Sequence, residues 1–167
     1  MKTDPPEPTY QTARLTLRSA DLADREKIFN WRNDPWILSF SNSQRTVSLD
    51  EHREWFENAL NDPTHSIDMI RLDDKEIGVI RLNRTGADQA TISIYLLREF
   101  CGKGYGTTAI RLACEKGWSL WPISHIDAFT RKTNLASERS FQKNGFLLVD
   151  ASEDLAENHL LHLRKTR

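Results

Sequence analysis

Six consecutive residues, Cys101-Gly102-Lys103-Gly104-Tyr105-Gly106, hold three of the chain's seven glycines. They sit between an extended apolar run, Ala90-Thr91-Ile92-Ser93-Ile94-Tyr95-Leu96-Leu97, and a helical pattern from Thr107 to Trp118. The run is rich in β-branched and aromatic residues, as strands are. In the helical stretch Ile110, Ala113, Cys114 and Gly117 recur on one face. Glycine lets a turning backbone aim its N–H groups inward with no Cβ in the way. A helix that starts there adds the partial positive charge of its N-terminus, so the loop suits a phosphate or pyrophosphate, although a tight turn alone selects the same residues. Two common phosphate loops are excluded. The chain has no G-x-x-x-x-G-K-S/T run there, and after Gly102 and Gly104 the third position of a G-x-G-x-x-G fingerprint is Thr107. The strands before the loop also read as antiparallel hairpins, whereas that fingerprint needs a parallel β-α-β unit.

With 167 residues the chain is one domain with room for a real core. Its 24 acidic residues nearly balance 23 basic ones, so no global field favours nucleic acid or an acidic membrane. No long apolar stretch or signal-peptide core is present. Cys101 and Cys114 have neither metal-ligand spacing nor the company of a disulfide framework, which implies reduced thiols in a cytoplasm. Pro5, Pro6 and Pro8 mark residues 1–12 as a mobile lead-in to a single domain over 13–167.

The pattern predicts a strand over 13–18 and a helix over 21–33 stopped by Asp34-Pro35. Ser48 with Glu51 three positions on forms a capping box for a second helix, in which His52, Trp55, Phe56, Ala59 and Leu60 share a face. Three strands follow, over 65–72, 76–83 and 89–97. After the Gly loop and its helix come a strand over 125–130, a helix over 134–144 closed by Gly145, and a final hairpin over 146–149 and 160–163. The order β-α-α-β-β-β-α-β-α-β-β describes an α/β fold, a single mixed sheet with helices on both faces.

This order and two motifs resemble the GNAT superfamily of acyl-CoA-dependent N-acetyltransferases. One motif is the family's Q/R-x-x-G-x-G/A pyrophosphate loop at Cys101 to Gly106. The other is Asn134-Leu135-Ala136-Ser137 leading into Phe141-Gln142-Lys143-Asn144-Gly145-Phe146. Cys101 stands where the family usually has Gln or Arg, and Phe141 where many members carry a catalytic Tyr. Trp31-Arg32-Asn33-Asp34-Pro35, the Ser48–Phe56 segment and Ile77-Gly78-Val79-Ile80-Arg81-Leu82 resemble acetyltransferases of nucleotide-linked amino sugars, including the pseudaminic acid pathway enzyme. Ribosomal-protein N-terminal acetyltransferases are close relatives of that group.

The resemblance implies a mostly antiparallel sheet with a splayed central strand pair and acetyl-CoA as cosubstrate, without a metal. Pyrophosphate contacts fall on Cys101, Gly102, Lys103, Gly104, Tyr105, Gly106 and Thr107. Leu96 and Leu97, where the strand bulges from its neighbour, line the pantetheine arm, and a backbone amide there, at Leu96, meets the developing oxyanion. Asn134, Ser137 and Phe141 share a helix face directed at the cofactor. Phe141 has no proton to give, so Ser137 becomes the hydroxyl that protonates the leaving thiolate, with Tyr95 and Tyr105 as alternatives. His52 is the candidate base, although its apolar neighbours equally fit a structural histidine. Cys101 has no evident basic neighbour and is read as filler rather than nucleophile. Trp31, Arg32 and Asn33, with His52, form the acceptor pocket. The acceptor is a small-molecule amine, a nucleotide sugar first and a peptide N-terminus second. A silent acyl-CoA-binding domain is the competing reading, motivated by Phe141, and the resemblance also allows a homodimer.

Overall fold

The computed structural model describes residues 14–149 and 153–167, so the predicted lead-in lies outside the described residues. Strand β1 (Leu15–Ser19) is followed by a 3-10 turn at Leu22–Asp24 and helices α1 (Arg25–Arg32), α2 (Pro35–Phe40) and α3 (Leu49–Asn61). Strands β2 (His65–Leu72), β3 (Lys75–Arg84) and β4 (Gln89–Leu96) form a meander. Helix α4 (Tyr105–Leu120), β5 (His125–Arg131), α5 (Leu135–Lys143), β6 (Leu147–Leu148), α6 (Glu153–Glu157) and β7 (Leu160–Thr166) complete the chain. The seven strands run in the order β1-β2-β3-β4-β5-β7-β6, and only β4 and β5 are parallel.

Strand parity sorts the sheet into two apolar faces. Ile70, Ile80, Leu82, Ile92 and Ile126 meet Ala109, Ile110, Ala113 and Cys114 of α4. Gly117 lets that helix sit close, because a Cβ there would lie 3.1 Å from Leu82 Cδ1. On the other face Ile67, Met69 and Val79 meet Ile28, Phe56 and Ala59 of α1 and α3. Helices therefore cover both faces, as predicted.

The capping box at Ser48 is present, with Ser48 Oγ accepting from Glu51 N–H at 3.2 Å. Gly145 closes α5 at φ +84°. Two helices escaped the sequence reading. Helix α6 lies between the two strands of the predicted final hairpin, where no helix was expected. The Asp34-Pro35 pair, read as a stop, also starts α2, with Asp34 accepting from Trp36 N–H at 2.8 Å and Pro35 in the first turn. Proline lacks the N–H that a first turn leaves unbonded, so one dipeptide both ends α1 and begins α2.

Candidate active site

Strands β4 and β5 are bonded only from Gln89 with His125 to Ile92 with Ala128, yet β4 continues to Leu96 and β5 to Arg131. The sheet is split beyond that point. Against β3, β4 keeps an unbroken register from Ala90 with Arg84 to Leu96 with Gly78. The expected parting of β4 from its neighbour is this split from β5, made without a register shift against β3; a register shift lies instead between β2 and β3, where Ile70 pairs Gly78 and Arg71 pairs Glu76. Leu97 N–H donates to Ile77 O at 2.8 Å, so that amide is spent on β3. Antiparallel alternation then turns the N–H and C=O of Leu96 and of Ile94 toward the split. Gly78 permits this arrangement, since a Cβ there would stand 2.3 Å from Tyr95 O.

At the top of β4 the loop bends through left-handed Gly102 (φ +74°) and Gly104 (φ +85°). A Cβ on either would meet nothing within 4 Å, so glycine serves conformation there and leaves the approach open. The first bond of α4 runs from Thr108 N–H to Gly104 O at 3.2 Å. Among the described residues no protein acceptor takes the amides of Gly102 through Thr107. These donors, at the positive end of a 16-residue helix, fit a pyrophosphate. Lys103 Nζ lies 6.0 Å over the Phe100 ring. Burial pushes the Cys101 thiol up, against a hydrogen bond with Trp36 that pulls it down, and its Sγ donates to Leu97 O at 3.5 Å. A thiol so held is no ready nucleophile.

Helix α5 flanks the loop. Asn134 Oδ1 accepts from Ser137 N–H at 3.2 Å, so the cap takes the oxygen and leaves Nδ2 for a ligand. Asn144 Nδ2 donates to Thr107 O and Ser140 O, both at 2.9 Å, and pins α5 to the first turn of α4. Ser140 Oγ is 3.9 Å from where a Cβ of Gly106 would be. Phe141 turns away: it is 2% exposed and packs edge-to-face on Phe146 at 5.0 Å. The loop side of α5 is therefore hydroxyl-bearing, through Ser140 with Ser137 one turn before it, and the Phe141 ring belongs to the core.

On the opposite face of the sheet a cavity of about 270 Å³ adjoins Tyr95, lined by Arg32, Val47, His52, Trp55 and Arg81 among others. Arg32 Nη2 donates to Ser43 Oγ at 3.0 Å, whereas its Nη1 is buried with no partner among the described residues. The Tyr95 hydroxyl is likewise buried and unpartnered, and burial raises its pKa, so it remains a donor. Arg81 Nε donates to Ser93 Oγ at 3.2 Å, and the guanidinium lies 5.1 Å over the Trp55 ring. His52 Nε2–H donates to Arg25 O at 2.9 Å, which leaves Nδ1 as the acceptor, and burial lowers its pKa and keeps it neutral. Phe29, Trp55 and Phe56 surround that ring at 5.4–5.8 Å.

The remaining acceptor candidates separate. Asn33 spends its whole amide on Val47, with Nδ2 donating to Val47 O and Oδ1 accepting from Val47 N–H, both at 2.9 Å. It shapes the cavity by placing Val47. Trp31 lines a different groove of about 370 Å³, with Lys27, Lys75, Leu97 and Phe100. Helix α2 and the bend after it reach both lips of the split: Arg98, just past β4, lies 5.0 Å over Trp36, and Asn42 Nδ2 donates to Phe129 O of β5 at 3.1 Å. The structure thus gathers Arg32 and His52 at one cavity, runs Leu96 through Thr107 from the split into the Gly loop, and sets α5, which carries Asn134 and Ser137, against the first turn of α4 through Asn144 and Ser140. Arg81 and Ser140 were missed. Strand parity with Val79 could have placed Arg81 on this face, but not in a cavity that α3 and α1 close.

The family model described as "Acetyltransferase (GNAT) domain" matches residues 14–147. The "Uncharacterized N-acetyltransferase p20" of Bacillus licheniformis is 26% identical over 153 residues, covering 83% of this chain and 85% of that protein. A domain from Methanocaldococcus jannaschii shares the fold with a TM-score of 0.81 at 17% identity, over 93% of this chain and all of that one. The Campylobacter jejuni N-acetyltransferase PseH, solved with acetyl coenzyme A, matches with a TM-score of 0.68 at 17% identity, over 92% and 99% of the two chains. With a split sheet, a donor-lined Gly loop and a family match across most of its length, the chain belongs to the GNAT family and is an acetyl-CoA-dependent N-acetyltransferase.

Proposed function

We propose that the acceptor is a nucleotide-linked amino sugar whose amine attacks from the α1 side of β4. The observation that carries this reading is a pair of hollows along adjacent stripes of α1. Lys27 and Trp31 line the larger, Ile28 and Arg32 the smaller, and both border the end of β4, at Leu97 and Tyr95 respectively. A two-part acceptor suits two hollows, with the Trp31 indole offering a face to a base. Acetyl-CoA supplies a thioester carbonyl that a neutral amine can attack directly, so alignment accounts for much of the rate. The Leu96 amide, turned into the split, stabilises the oxyanion, and Ser137 gives a proton to the leaving thiolate. His52 acts through Nδ1, the nitrogen its bond to Arg25 leaves open.

Free UMP or UDP should compete with the acceptor at millimolar concentration. Arg32→Ala should raise the acceptor KM and leave the acetyl-CoA KM constant, the pattern of lost uniform binding. If neither nucleotide inhibits and an N-terminal peptide is acetylated efficiently, the peptide reading replaces this one.

A further inference from the structure

We infer that the cavity between α1, α3 and β4 grips one oxyanion of the acceptor, a carboxylate or a phosphate, with Arg32, Arg81 and Tyr95, and so selects anionic amines over polycationic ones. This rests on the acetyltransferase reading and on acceptor entry from this side, but not on the acceptor carrying a nucleotide.

Several other arginines hold carboxylates: Arg18 holds Asp24 and Glu76, Arg164 holds Asp127, and Arg45 holds Glu51. Among the described residues neither Arg32 nor Arg81 has such a partner, although both face the cavity. Both residues are half-buried, and holding unpaired guanidinium groups away from water opposes folding. Burial does depress Arg81, and Arg32 adds like-charge repulsion to it. An arrangement that costs stability and leaves two buried polar atoms unbonded points to a ligand.

The donor inventory says which ligand. Arg32 Nη1 and the Tyr95 hydroxyl are open donors, and the Arg81 guanidinium keeps its terminal nitrogens beyond the Nε bond to Ser93. A guanidinium accepts nothing, so the complement is an acceptor-rich, negatively charged group. The one carboxylate lining the cavity, Glu51, is hydrogen-bonded by Arg45 and by Ser48 N–H, which with a weaker pull from the Arg32 charge hold it ionised; it makes no ion pair with Arg32. His52 contributes no charge while it stays neutral. At about 270 Å³ the space falls short of the ~300–1,000 Å³ typical of whole-ligand pockets, so it takes one group of the acceptor rather than all of it. A polyamine would bring its ammonium groups against two like charges.

Two measurements test this. In enzyme saturated with coenzyme A, so that the Gly loop is occupied, inorganic phosphate or acetate is titrated while the arginine Nε–H resonances are followed by NMR. The signals of Arg32 and Arg81 should move together and saturate with one anion, and the stronger of the two identifies phosphate or carboxylate. Resonances that stay still with both anions overturn the proposal. Second, kcat/KM is compared for amines differing by one anionic group, glucosamine 6-phosphate against glucosamine and tyrosine against tyramine, with spermidine as the polycation. At least one anionic member should lead its partner by more than tenfold, and spermidine should trail. Arg81→Gln should shrink that ratio to within about threefold at constant acetyl-CoA KM, with Arg81→Lys intermediate. Spermidine as the preferred substrate, or a ratio unchanged in Arg81→Gln, overturns the inference. Should UMP fail to compete while phosphate does, the nucleotide reading falls and the oxyanion grip stands.

Discussion

On one side of β4 the split and the Gly loop present main-chain amides; on the other, α1, α3 and β3 present guanidinium, phenol and indole groups. The first surface is specified by backbone path: two left-handed glycines, a helix start, and a strand pairing that stops at Ile92. The second depends on which side chains occupy its hollows. Main-chain donors tolerate side-chain drift, whereas a cavity lined by Arg32, Arg81 and Tyr95 is redefined by a single substitution. On the function proposed above, the common half of the reaction is held by geometry and the variable half by chemistry.

The largest test strikes the seam between the two. Gly78→Ala would force β3 from β4 beside Leu96, where a Cβ has 2.3 Å of room. We expect kcat/KM to fall about a hundredfold, with a stability loss of ~1–3 kcal/mol typical of overpacking, read as a lower Tm. A near-normal enzyme would mean that the main-chain edge is not held there. Ser137→Ala comes next, with kcat lower by about ten to a hundredfold, at the low end of general-acid effects because water can substitute. The Asn134 cap survives that change, since it uses the Ser137 backbone N–H. If Ser140→Ala carries the loss instead, the donor sits one turn later on α5. Gly104→Val forces a β-branched residue into φ +85°, and acetyl-CoA Kd measured by calorimetry should rise more than tenfold while the acceptor site is spared. An unchanged Kd would remove the loop from the cofactor site.

The smallest effect concerns His52. Burial sets its folded pKa below the ordinary 6.5. The unfolded chain thus binds this proton more readily, and stability falls as pH drops through 6.5 toward the folded value. His52→Gln, which can still donate to Arg25 O, should flatten the decline of Tm as pH falls below about 6.5. A base role would add a flattened rise of kcat with pH, whereas a packing role would leave that profile alone.

The two surfaces were not equally legible. Strand boundaries, the Ser48 cap, the Gly145 terminus and the loop followed from local signals, because each depends on residues within a few positions of one another. Asn33, Phe141 and Trp31 show the limit. Asn33 looked like an acceptor contact, but its amide answers to Val47, fourteen positions away. Phe141 stands in a helix beside the loop, yet core packing against Phe146 claims its ring. Trp31 and Arg32 are neighbours in sequence and line separate hollows, because successive helical residues point about 100° apart. Arg81 could be assigned a face but not a cavity, since strand parity does not say which helices close over it.

The split also leaves a sheet edge inside the molecule. Beyond Ile92 and Ala128 neither β4 nor β5 has the other to bond. Unpaired ladder groups are what exposed edges offer to stray strands, and proteins usually cover them. On the function proposed above, the extended amide arm of the cosubstrate would be the cover, an eighth strand borrowed at each turnover. Ligand at a hundred times its Kd stabilises a fold by about 2.7 kcal/mol. The melting point should therefore track coenzyme A concentration, and the protein should be most open to proteolysis and association where acetyl-CoA runs low.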